Sequence, residues 1–414
     1  MRILWFSNVN LSESCKFSGS WLYSMSESLL SSNDIELTNI TQSSSVKEIV
    51  KYKKGNSLTQ YVLPYYSLSE GLPSLSNIKK IIDIVDKTNA DLIHIWGTES
   101  YWGLLSARGY LKGPILLEIQ GILSTCYNAF YGNLSPSQIF QCFSKKEILL
   151  PNRFLPVLRN NFKKKLRFES EMLLNHHNIA VQSQWVKDYV SLNNVKSCIY
   201  KSLIAVRTPF LKNEWIQKSD STQINLVTIS SIVPYKGLLD LIYAISFLKF
   251  FYPQINLYVI GSFGLASNKF FISGYEHLIS KTIKELQLSE NITFCGALDA
   301  NGIIDIFKKC DVFIQSSYVE SYSLSLAEAM TFGIPCVSTY AGAMTELGVD
   351  GESLLFYTPG DIYGCAAKVK KILDSPSLSS KLSRNSRMLG LQRNNSKDVC
   401  DNQLYIYKKI LNNV

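Results

Sequence analysis

The sequence of 414 residues lacks any apolar run of the about 18 residues that a transmembrane helix needs. The best candidate, residues 242–261, is interrupted by Lys249 and Pro253. The apolar run in the amino-terminal stretch MRILWFSN is also far too short for a secretory signal peptide. These absences predict a cytoplasmic protein that does not span a membrane.

The sequence also lacks the short motifs of several common sites. No two of its nine cysteines form a CxxC pair, so we expect reduced, mostly buried thiols rather than a disulfide framework or a zinc site. No GxGxxG fingerprint of a dinucleotide site is present. Charged residues are only 18% of the chain and hydrophobic residues 46%, which favours large buried cores over disorder.

Short, almost continuously apolar runs recur in both halves of the chain, each followed by a stretch with helical periodicity. The runs are MRILWFS, DLIHIW, ILLEIQ and NIAVQS in the first half, and INLVTIS, INLYVIG, NITFCG, CDVFIQ and IPCVST in the second. Continuous apolarity is typical of parallel strands that are buried on both faces. The alternation predicts an α/β fold class with two doubly wound domains.

The break between the two domains is expected near residues 204–215, where Thr208-Pro209 interrupts regular structure. We therefore predict a first domain over 1–208 and a second over 209–395. The last segment, 396–414, has the pattern of an amphipathic helix that packs back on the first domain. Ligands of such sheets bind beyond the carboxyl ends of the strands, so the default site is a cleft between the domains.

The stretch VESYSLSLAEAM (319–330) follows an expected strand and holds two carboxylates, Glu320 and Glu328. We expect a helix to begin near Ser323 and Leu324, between the two glutamates, and to end before Gly333. The N–H groups of a helix N-terminus suit a diphosphate, and the flanking carboxylates suit sugar and ribose hydroxyls. The alternative is that Glu320 only caps the helix and Glu328 is exposed.

Other polar residues follow expected strands. Lys236 precedes Gly237 at the start of a helix and would reach the same phosphates, or would be a plain surface lysine. Gly19 opens a helix after the first strand and lets backbone approach a ligand. Gln120 stands at the end of ILLEIQ.

The stretch HIWGTESYWG (94–103) places aromatic, hydroxyl and carboxylate side chains beside a strand terminus. These residues are Trp96, Thr98, Glu99, Tyr101 and Trp102. Such a mixture suits the faces and hydroxyl groups of a carbohydrate acceptor. Aromatic residues of this kind are also common in domain cores, so both interpretations stay open at this point.

Charge is unevenly distributed. The net charge is +9, and residues 1–208 hold 23 Lys and Arg against 15 Asp and Glu. Residues 144–167 hold eight basic residues, one acidic residue and interleaved leucines and phenylalanines. This pattern indicates either an anionic membrane surface as partner or the solvated face of an ordinary helix. No nucleic-acid partner is expected, since no nucleic-acid module accompanies the charge.

The order of these features resembles glycosyltransferase family 4, whose members are retaining enzymes of the GT-B fold. The resemblance covers most of the chain and is strongest over 224–361, where VTISSIVPYKG, LYVIGS, ITFCGAL, CDVFIQSSYVESYSLSLAEAMTFGIPCVST and DGESLLFYTPGD follow in order. It implies two Rossmann-like domains that face each other across a cleft, the first binding the acceptor and the second the nucleotide sugar.

The resemblance also implies roles for residues of the second domain. Glu328 would bind the nucleotide ribose and Glu320 the hydroxyls of the transferred sugar. Backbone at Ser323 and Leu324 would bind the sugar and diphosphate, and Lys236 the diphosphate as a catalytic cation.

Further roles fall on loops elsewhere in the chain. Backbone around Gly296 would lie beside the base, and Gly19 would approach the phosphates from the first domain. Three positions depart from the family pattern: Ser231 stands where arginine is usual, Gln120 where histidine is frequent, and Ser323 where glycine is common. Despite these changes, the resemblance implies that Ser231 lies at the diphosphate site and Gln120 at the sugar site.

The function implied is transfer of a hexosyl group from a nucleotide-diphosphate sugar to a sugar or lipid-linked glycan acceptor, in bacterial surface polysaccharide biosynthesis. No cofactor and no metal are expected, because the chain lacks the Asp-x-Asp metal motif of the other large transferase fold. Two alternatives remain at this point: a nucleotide-sugar epimerase of the same fold, and a catalytically silent, basic membrane-binding scaffold.

Overall fold

The computed structural model divides the chain into two compact units. It describes residues 1–11, 20–31, 34–55, 57–218, 223–267 and 272–412. The first unit comprises Met1–Ser124, Asn161–Ala205 and Asn394–Val414, and the second comprises Thr125–Asn160 and Val206–Arg393. The residues expected at the ends of the two domains, 208 and 395, fall within a few positions of these junctions.

The first unit is built on an eight-stranded sheet with the order β3-β4-β2-β1-β5-β6-β7-β8. Its strands are β1 Arg2–Phe6, β2 Glu36–Ser43, β3 Val50–Lys54, β4 Leu58–Pro64, β5 Leu92–Trp96, β6 Ile115–Glu118, β7 Asn178–Val181 and β8 Cys198–Lys201. All pairs are parallel except β3 with β4. Because parallel strands are covered on both faces, every residue of β5 is buried.

The second unit is built on a six-stranded parallel sheet with the order β11-β10-β9-β12-β13-β14. Its strands are β9 Asn225–Ile229, β10 Asn256–Ile260, β11 Ile292–Gly296, β12 Val312–Gln315, β13 Cys336–Thr339 and β14 Leu355–Tyr357. The two sheets confirm the predicted α/β class with two doubly wound domains.

Helices connect the strands of both sheets. Their bounds are α1 Ser20–Leu30, α2 Leu75–Thr88, α3 Trp102–Ala107, α4 Leu123–Asn128, α5 Pro136–Gln141, α6 Lys145–Leu149, α7 Leu155–Asn175, α8 Gln184–Asn193, α9 Thr208–Lys212, α10 Leu238–Phe251, α11 Gly274–Glu285, α12 Ala300–Phe307, α13 Leu324–Phe332, α14 Ile362–Leu373, α15 Pro376–Arg393 and α16 Ser396–Asn412. No described helix has the length and apolar character that crossing a membrane requires.

Residues 125–160 belong to the second unit although the expected first domain contained them. Glu147 on α6 holds them there, since its Oε1 accepts a hydrogen bond of 2.9 Å from the backbone N–H of Gly274. The backbones of Gly274 and Cys142 are in close contact, since a Cβ added at Gly274 would lie 1.6 Å from the carbonyl oxygen of Cys142. These contacts join positions over a hundred residues apart, which no local sequence pattern reveals.

The C-terminal helix α16 packs on the first unit, as predicted. The Tyr407 hydroxyl accepts a hydrogen bond of 3.0 Å from Trp5 Nε1 on β1 and lies 2.8 Å from His94 Nδ1 on β5. All three side chains are buried. A buried polar group needs a partner, so this network fixes the position of α16 on the sheet.

Replacing Tyr407 with phenylalanine tests that role. The change leaves the indole N–H of Trp5 buried without its acceptor, which costs about 1–3 kcal/mol. We expect urea denaturation, followed by tryptophan fluorescence, to show that loss in the free energy of unfolding. Tyr405→Phe is the matched control, since Tyr405 lies on the same helix and is exposed. Equal stability of the two variants would contradict the role of the network.

Candidate functional site

The helix between the two glutamates begins and ends where the sequence predicts. Ser323 is the N-cap of α13, and its hydroxyl accepts a hydrogen bond of 3.3 Å from the backbone N–H of Leu326. Gly333 ends the helix with a φ of +88°, a conformation that favours glycine. The first-turn N–H groups of a helix have no intrahelical partner, so that of Leu324 is available to an anion.

Glu320 lies on the loop between β12 and α13 and forms an ion pair with Lys236. The distance from Lys236 Nζ to Glu320 Oε1 is 2.6 Å, and both side chains are partly buried. Partial burial strengthens the pair because water screens the two charges less than at an exposed site. The structure therefore brings together two residues that are 84 positions apart and that the sequence assigned to one site.

The Glu320 carboxylate uses its two oxygens differently. Oε1 also accepts hydrogen bonds from Gln315 Nε2 at 2.9 Å and from Ser317 Oγ at 2.8 Å. None of the described residues donates a hydrogen bond to Oε2. The carboxylate is thus held through one oxygen, while the other can accept from a ligand.

The loops after β9 and β12 are joined to each other by direct contacts. Lys236 ends a short 3-10 helix after β9, and its carbonyl oxygen accepts a hydrogen bond of 2.8 Å from Ser316 Oγ. The backbone N–H of Tyr318 donates to the carbonyl oxygen of Tyr235 at 2.8 Å. Gly237 has a φ of +70°, and an added Cβ would lie 2.0 Å from the Ser316 carbonyl oxygen. Glycine at 237 therefore permits the close approach that places Lys236 beside Glu320.

Glu328 is buried and paired with Arg207, a residue to which the sequence gave no role. Arg207 Nε and one terminal nitrogen donate to the two carboxylate oxygens, each at 2.6 Å. Only 1% of Glu328 and 8% of Arg207 is exposed. The guanidinium also lies over the ring of Phe210, 5.1 Å from its centroid. The alternative that Glu328 is an exposed surface residue is therefore wrong.

A signal for the Arg207 partner exists in the sequence. A carboxylate on a helix that is apolar all round needs a buried cation, and Arg207 lies in the apolar stretch IAVRTPF beside the expected domain boundary. Spacing alone does not pair these residues, because 121 positions separate them. The pair leaves Glu328 with fewer lone pairs for the ribose than an unpaired carboxylate has.

Ser231 and Gly296 lie at the same edge of the second sheet as Glu320. Ser231 follows β9, is exposed, and its carbonyl oxygen accepts a hydrogen bond of 2.9 Å from the N–H of Val233. Gly296 ends β11 with a φ of +73°, and its carbonyl oxygen accepts from the N–H of Gly261 at 2.9 Å. Since carboxyl ends of parallel strands share one edge, the sheet gathers these positions on one side.

Gln120 belongs to the first unit, where it follows β6 and lines a cavity of about 240 Å³. We name this the Trp96–Glu99 cavity. Its lining residues are Asn8, Val9, Trp21, Leu22, Trp96, Glu99 and Gln120. Gly19, the other expected site residue of the first unit, lies outside the described residues.

The carboxyl group of Glu99 has an unusual environment in this cavity. Burial raises its pKa to about 7, the charge of Glu169 adds to the rise, and the ammonium of Lys165 opposes it. Its Oε2 atom is buried without a hydrogen-bond partner among the described residues. A carboxyl group with such a pKa changes its charge near neutral pH.

The other three candidates of the stretch 94–103 do not line this cavity. Trp102 and Tyr101 are part of the hydrophobic core of the first unit. Thr98 is buried and its hydroxyl donates to Glu169 at 3.1 Å. Only Trp96 and Glu99 of the five predicted acceptor residues line the cavity.

The described residues contain no group of three or more His, Cys, Asp and Glu side chains that could hold a metal ion. The expectation of a reaction without metal or cofactor stays a prediction.

Comparison with known proteins relates most of the second unit to one family. Residues 210–388 match the family model described as Glycosyl transferases group 1. MMP alpha-(1->4)-mannosyltransferase of Mycolicibacterium hassiacum is 30% identical over 132 residues, which are 32% of this chain and 32% of that protein. The alignment therefore spans about a third of the length of this relative.

Solved structures resemble the whole chain. Sucrose-phosphate synthase from Thermosynechococcus elongatus gives a TM-score of 0.75 over 100% of both chains at 16% identity. HepE from Anabaena, solved in complex with UDP and glucose, gives 0.68 over 99% of this chain and 100% of that chain at 15% identity. Likeness at these identities shows the fold, and it confirms the predicted GT-B class. In sequence, residues 210–388 are similar to the glycosyl transferases group 1 family.

Proposed function

We propose that the protein transfers a hexosyl group from a nucleotide-diphosphate sugar to a sugar or lipid-linked glycan acceptor, with retention of the anomeric configuration. The observation that carries this proposal is the Lys236–Glu320 ion pair beside the N-terminus of α13. The cation and the N–H groups of the helix N-terminus suit the negatively charged diphosphate of a nucleotide sugar. The carboxylate suits the hydroxyl groups of its sugar.

The donor would bind to the second unit. Its diphosphate would accept hydrogen bonds from the backbone N–H groups of Ser323 and Leu324 and from Lys236 Nζ. Glu320 would accept a hydrogen bond from a sugar hydroxyl through Oε2, since Oε1 already has three donors. The complex of HepE with UDP and glucose supports a nucleotide sugar as the donor class.

In the transfer, the bond between the anomeric carbon and the diphosphate oxygen breaks, and the acceptor oxygen bonds to that carbon. Negative charge develops on the leaving diphosphate. Lys236 and the N–H groups of α13 would stabilise this charge electrostatically. We propose that the acceptor attacks from the side of the leaving group and gives its proton to the departing phosphate, which retains the configuration.

Arg207 would position Glu328 for the nucleotide ribose. The bidentate pair fixes both carboxylate oxygens, and each oxygen keeps a further lone pair that can accept a hydrogen bond. The roles expected for Gly19, Gln120, Ser231 and Gly296, and a place in surface polysaccharide biosynthesis, stay predictions.

The second unit also carries a surface that suits an anionic membrane. Between residues 140 and 158, seven large apolar side chains are exposed: Phe140, Phe143, Ile148, Leu149, Leu150, Val157 and Leu158. Lys145 and Arg153 are exposed among them. The acidic residue of this segment, Glu147, is 1% exposed and bonds internally to Gly274 and Ser144.

The exposed charges named on this surface are therefore positive, and they lie in a segment with seven exposed large apolar side chains, which is typical of an interaction surface. We propose that it binds the interface of a membrane that contains anionic lipid, and so brings the enzyme to a lipid-linked acceptor.

Replacing Lys236 with methionine tests the donor site. The change removes the charge and keeps much of the side-chain volume, so we expect kcat to fall about 10²–10³-fold. Transfer is measured with the nucleotide sugar that most raises the thermal midpoint of the protein in a screen. Lys284→Met, at an exposed position of α11, is the control. Near wild-type transfer by Lys236→Met, or conversion of the donor to its epimer without acceptor, would contradict the proposal.

Replacing Arg207 with methionine tests the buried pair. The change leaves Glu328 charged, buried and unpaired, which destabilises the protein by about 3–5 kcal/mol. We expect the double variant Arg207→Met/Glu328→Met to be more stable than Arg207→Met alone in urea denaturation. If the single and double variants unfold at the same urea concentration, the two side chains do not form the pair in solution.

Co-sedimentation with vesicles tests the membrane surface. Each cation near an anionic surface contributes about 1 kcal/mol, so Lys145→Gln/Arg153→Gln should bind phosphatidylglycerol vesicles at least tenfold more weakly. The control Lys308→Gln/Lys371→Gln removes the same charge from two other exposed positions of the second unit, one directly after α12 and one on α14. Equal binding by the two double variants would refute a specific role for this surface.

A further inference from the structure

Tyr318 connects the two loops that carry the charged pair of the donor site. It lies just before Glu320 in the sequence, and its backbone N–H donates a hydrogen bond of 2.8 Å to the carbonyl oxygen of Tyr235. Its hydroxyl donates to the carboxylate of Asp240, in the first turn of α10. Because Tyr235 and Asp240 lie on either side of Lys236 in the sequence, Tyr318 holds the Lys236 segment at two points.

Two glycines bring other segments of the second unit against the Tyr318 side chain. Gly360 has a φ of +79°, and an added Cβ would lie 2.7 Å from the Tyr318 hydroxyl oxygen. Gly132 has a φ of +56°, and an added Cβ would lie 3.1 Å from the ring carbon Cε2 of Tyr318. The loop after β14 and the turn after α4 thus enclose the ring and keep its hydroxyl beside Asp240.

The Asp240 carboxylate depends on this hydrogen bond. Burial raises the pKa of Asp240, and the hydrogen bond from Tyr318 opposes that rise by favouring the charged form. Burial and the bond to Asp240 both raise the pKa of Tyr318, so its hydroxyl stays protonated and donates. In the part of the chain that the structure describes, no other side chain donates to Asp240 and no cation pairs with it. A hydrogen bond to a charged acceptor is about twice as strong as a neutral one, so this bond is a firm link.

Both ends of the link are attached to well-packed parts of the second unit. On the Glu320 side, the Thr339 hydroxyl donates to the carbonyl oxygen of Ser317 at 2.6 Å. The N–H of Ala343 donates to the carbonyl oxygen of Glu320 at 2.9 Å. On the other side, α10 carries seven buried residues: Leu238, Leu239, Leu241, Ile242, Ala244, Ile245 and Leu248. The link therefore joins two segments that are themselves held in place.

The ion pair between Lys236 and Glu320 does not by itself set the spacing of the two loops. A lysine side chain has a flexible four-carbon stem, so Lys236 Nζ can follow the Glu320 carboxylate over a range of loop positions. The side chain of Tyr318 is more rigid, since an aromatic side chain has only about two rotatable bonds. The spacing of the loops is therefore fixed by Tyr318 rather than by the pair.

We propose that Tyr318 is a positioning residue, whose hydrogen bond to Asp240 fixes the Glu320 loop relative to Lys236 and so sets the geometry in which the charged pair meets the donor. The inference rests on the proposed transferase function. Tyr318 itself contacts neither the diphosphate nor the sugar. Misplacing a catalytic group by about 1 Å can lower a rate about 10²-fold, so we expect the bond to affect kcat more than donor binding.

Acetylation of Lys236 tests the positioning without any substrate. The full chain is treated with acetic anhydride, and mass spectrometry gives the rate at Lys236 relative to the exposed Lys284. Loosening a partly exposed ion pair frees the amine, so we expect Tyr318→Phe to raise this relative rate about threefold. Asp240→Asn should leave it unchanged, because its amide oxygen still accepts from Tyr318. Tyr252→Phe is the matched control, since it removes a tyrosine–aspartate hydrogen bond at the opposite end of α10 and should change nothing.

Kinetics separates positioning from a general loss of stability. Transfer is measured with the nucleotide sugar chosen in the thermal screen. Tyr318→Phe should lower kcat about 10–100-fold with a smaller change in the donor KM, and Asp240→Asn should retain most of kcat. The double variant Tyr318→Phe/Asp240→Asn removes the partly buried charge that lost its donor, so its urea midpoint should recover. Its kcat should stay low, because the hydrogen bond is still absent.

The two measurements give distinct outcomes. Equal acetylation of Lys236 in the wild type and Tyr318→Phe would overturn the role of Tyr318. Recovery of kcat together with stability in the double variant would overturn it as well, since a merely structural role predicts that result. Absence of transfer by the wild type with every nucleotide sugar would contradict the proposed function instead, and the acetylation result would still decide whether Tyr318 positions Lys236.

Discussion

The pairing of Lys236 with Glu320 is the interaction on which the donor site depends. It requires two loops, after β9 and β12, to meet at the edge of one sheet, and Gly237 is the residue whose missing side chain allows it. In the protein without ligand, each charge satisfies the other. A diphosphate would give the ammonium a second anionic partner, and a sugar would use the remaining oxygen of the carboxylate. The ion pair therefore holds both groups in place before the substrate arrives.

Buried carboxylates elsewhere in the chain show by contrast what is unusual about Glu99. Glu328 has the guanidinium of Arg207, and Glu147 has the N–H of Gly274. Glu169 accepts hydrogen bonds from the N–H of Leu123 at 2.7 Å and from Thr98 Oγ1 at 3.1 Å. In each case the fold supplies the donors that compensate for lost water. Glu99 Oε2, in contrast, has no hydrogen-bond partner among the residues that the structure describes.

Periodicity predicted the parts of the fold that are buried on both faces. All nine apolar runs are strands, and the helix limits at Ser323 and Gly333 were predicted from capping residues. Five strands were not predicted. In β2 only Leu37 and Ile40 are apolar, β4 begins with a mixture of apolar and polar residues, and β3 is an exposed, lysine-rich edge strand, so none of the three is continuously apolar. β8 is an edge strand with one buried residue, and β14 has only three residues.

The features of the site that the sequence did not predict depend on contacts between residues that are far apart in the sequence. Motif order identified Glu320 and Lys236, but neither the Arg207 partner of Glu328 nor the place of residues 125–160 follows from local spacing.

A crystal structure of the wild-type protein with UDP-glucose tests the donor account most directly. We expect the diphosphate oxygens within 3.2 Å of Lys236 Nζ and of the first N–H groups of α13, with a sugar hydroxyl on Glu320, at about the distances of ordinary hydrogen bonds. A diphosphate bound away from the N-terminus of α13, with the Lys236–Glu320 pair unchanged, would contradict it.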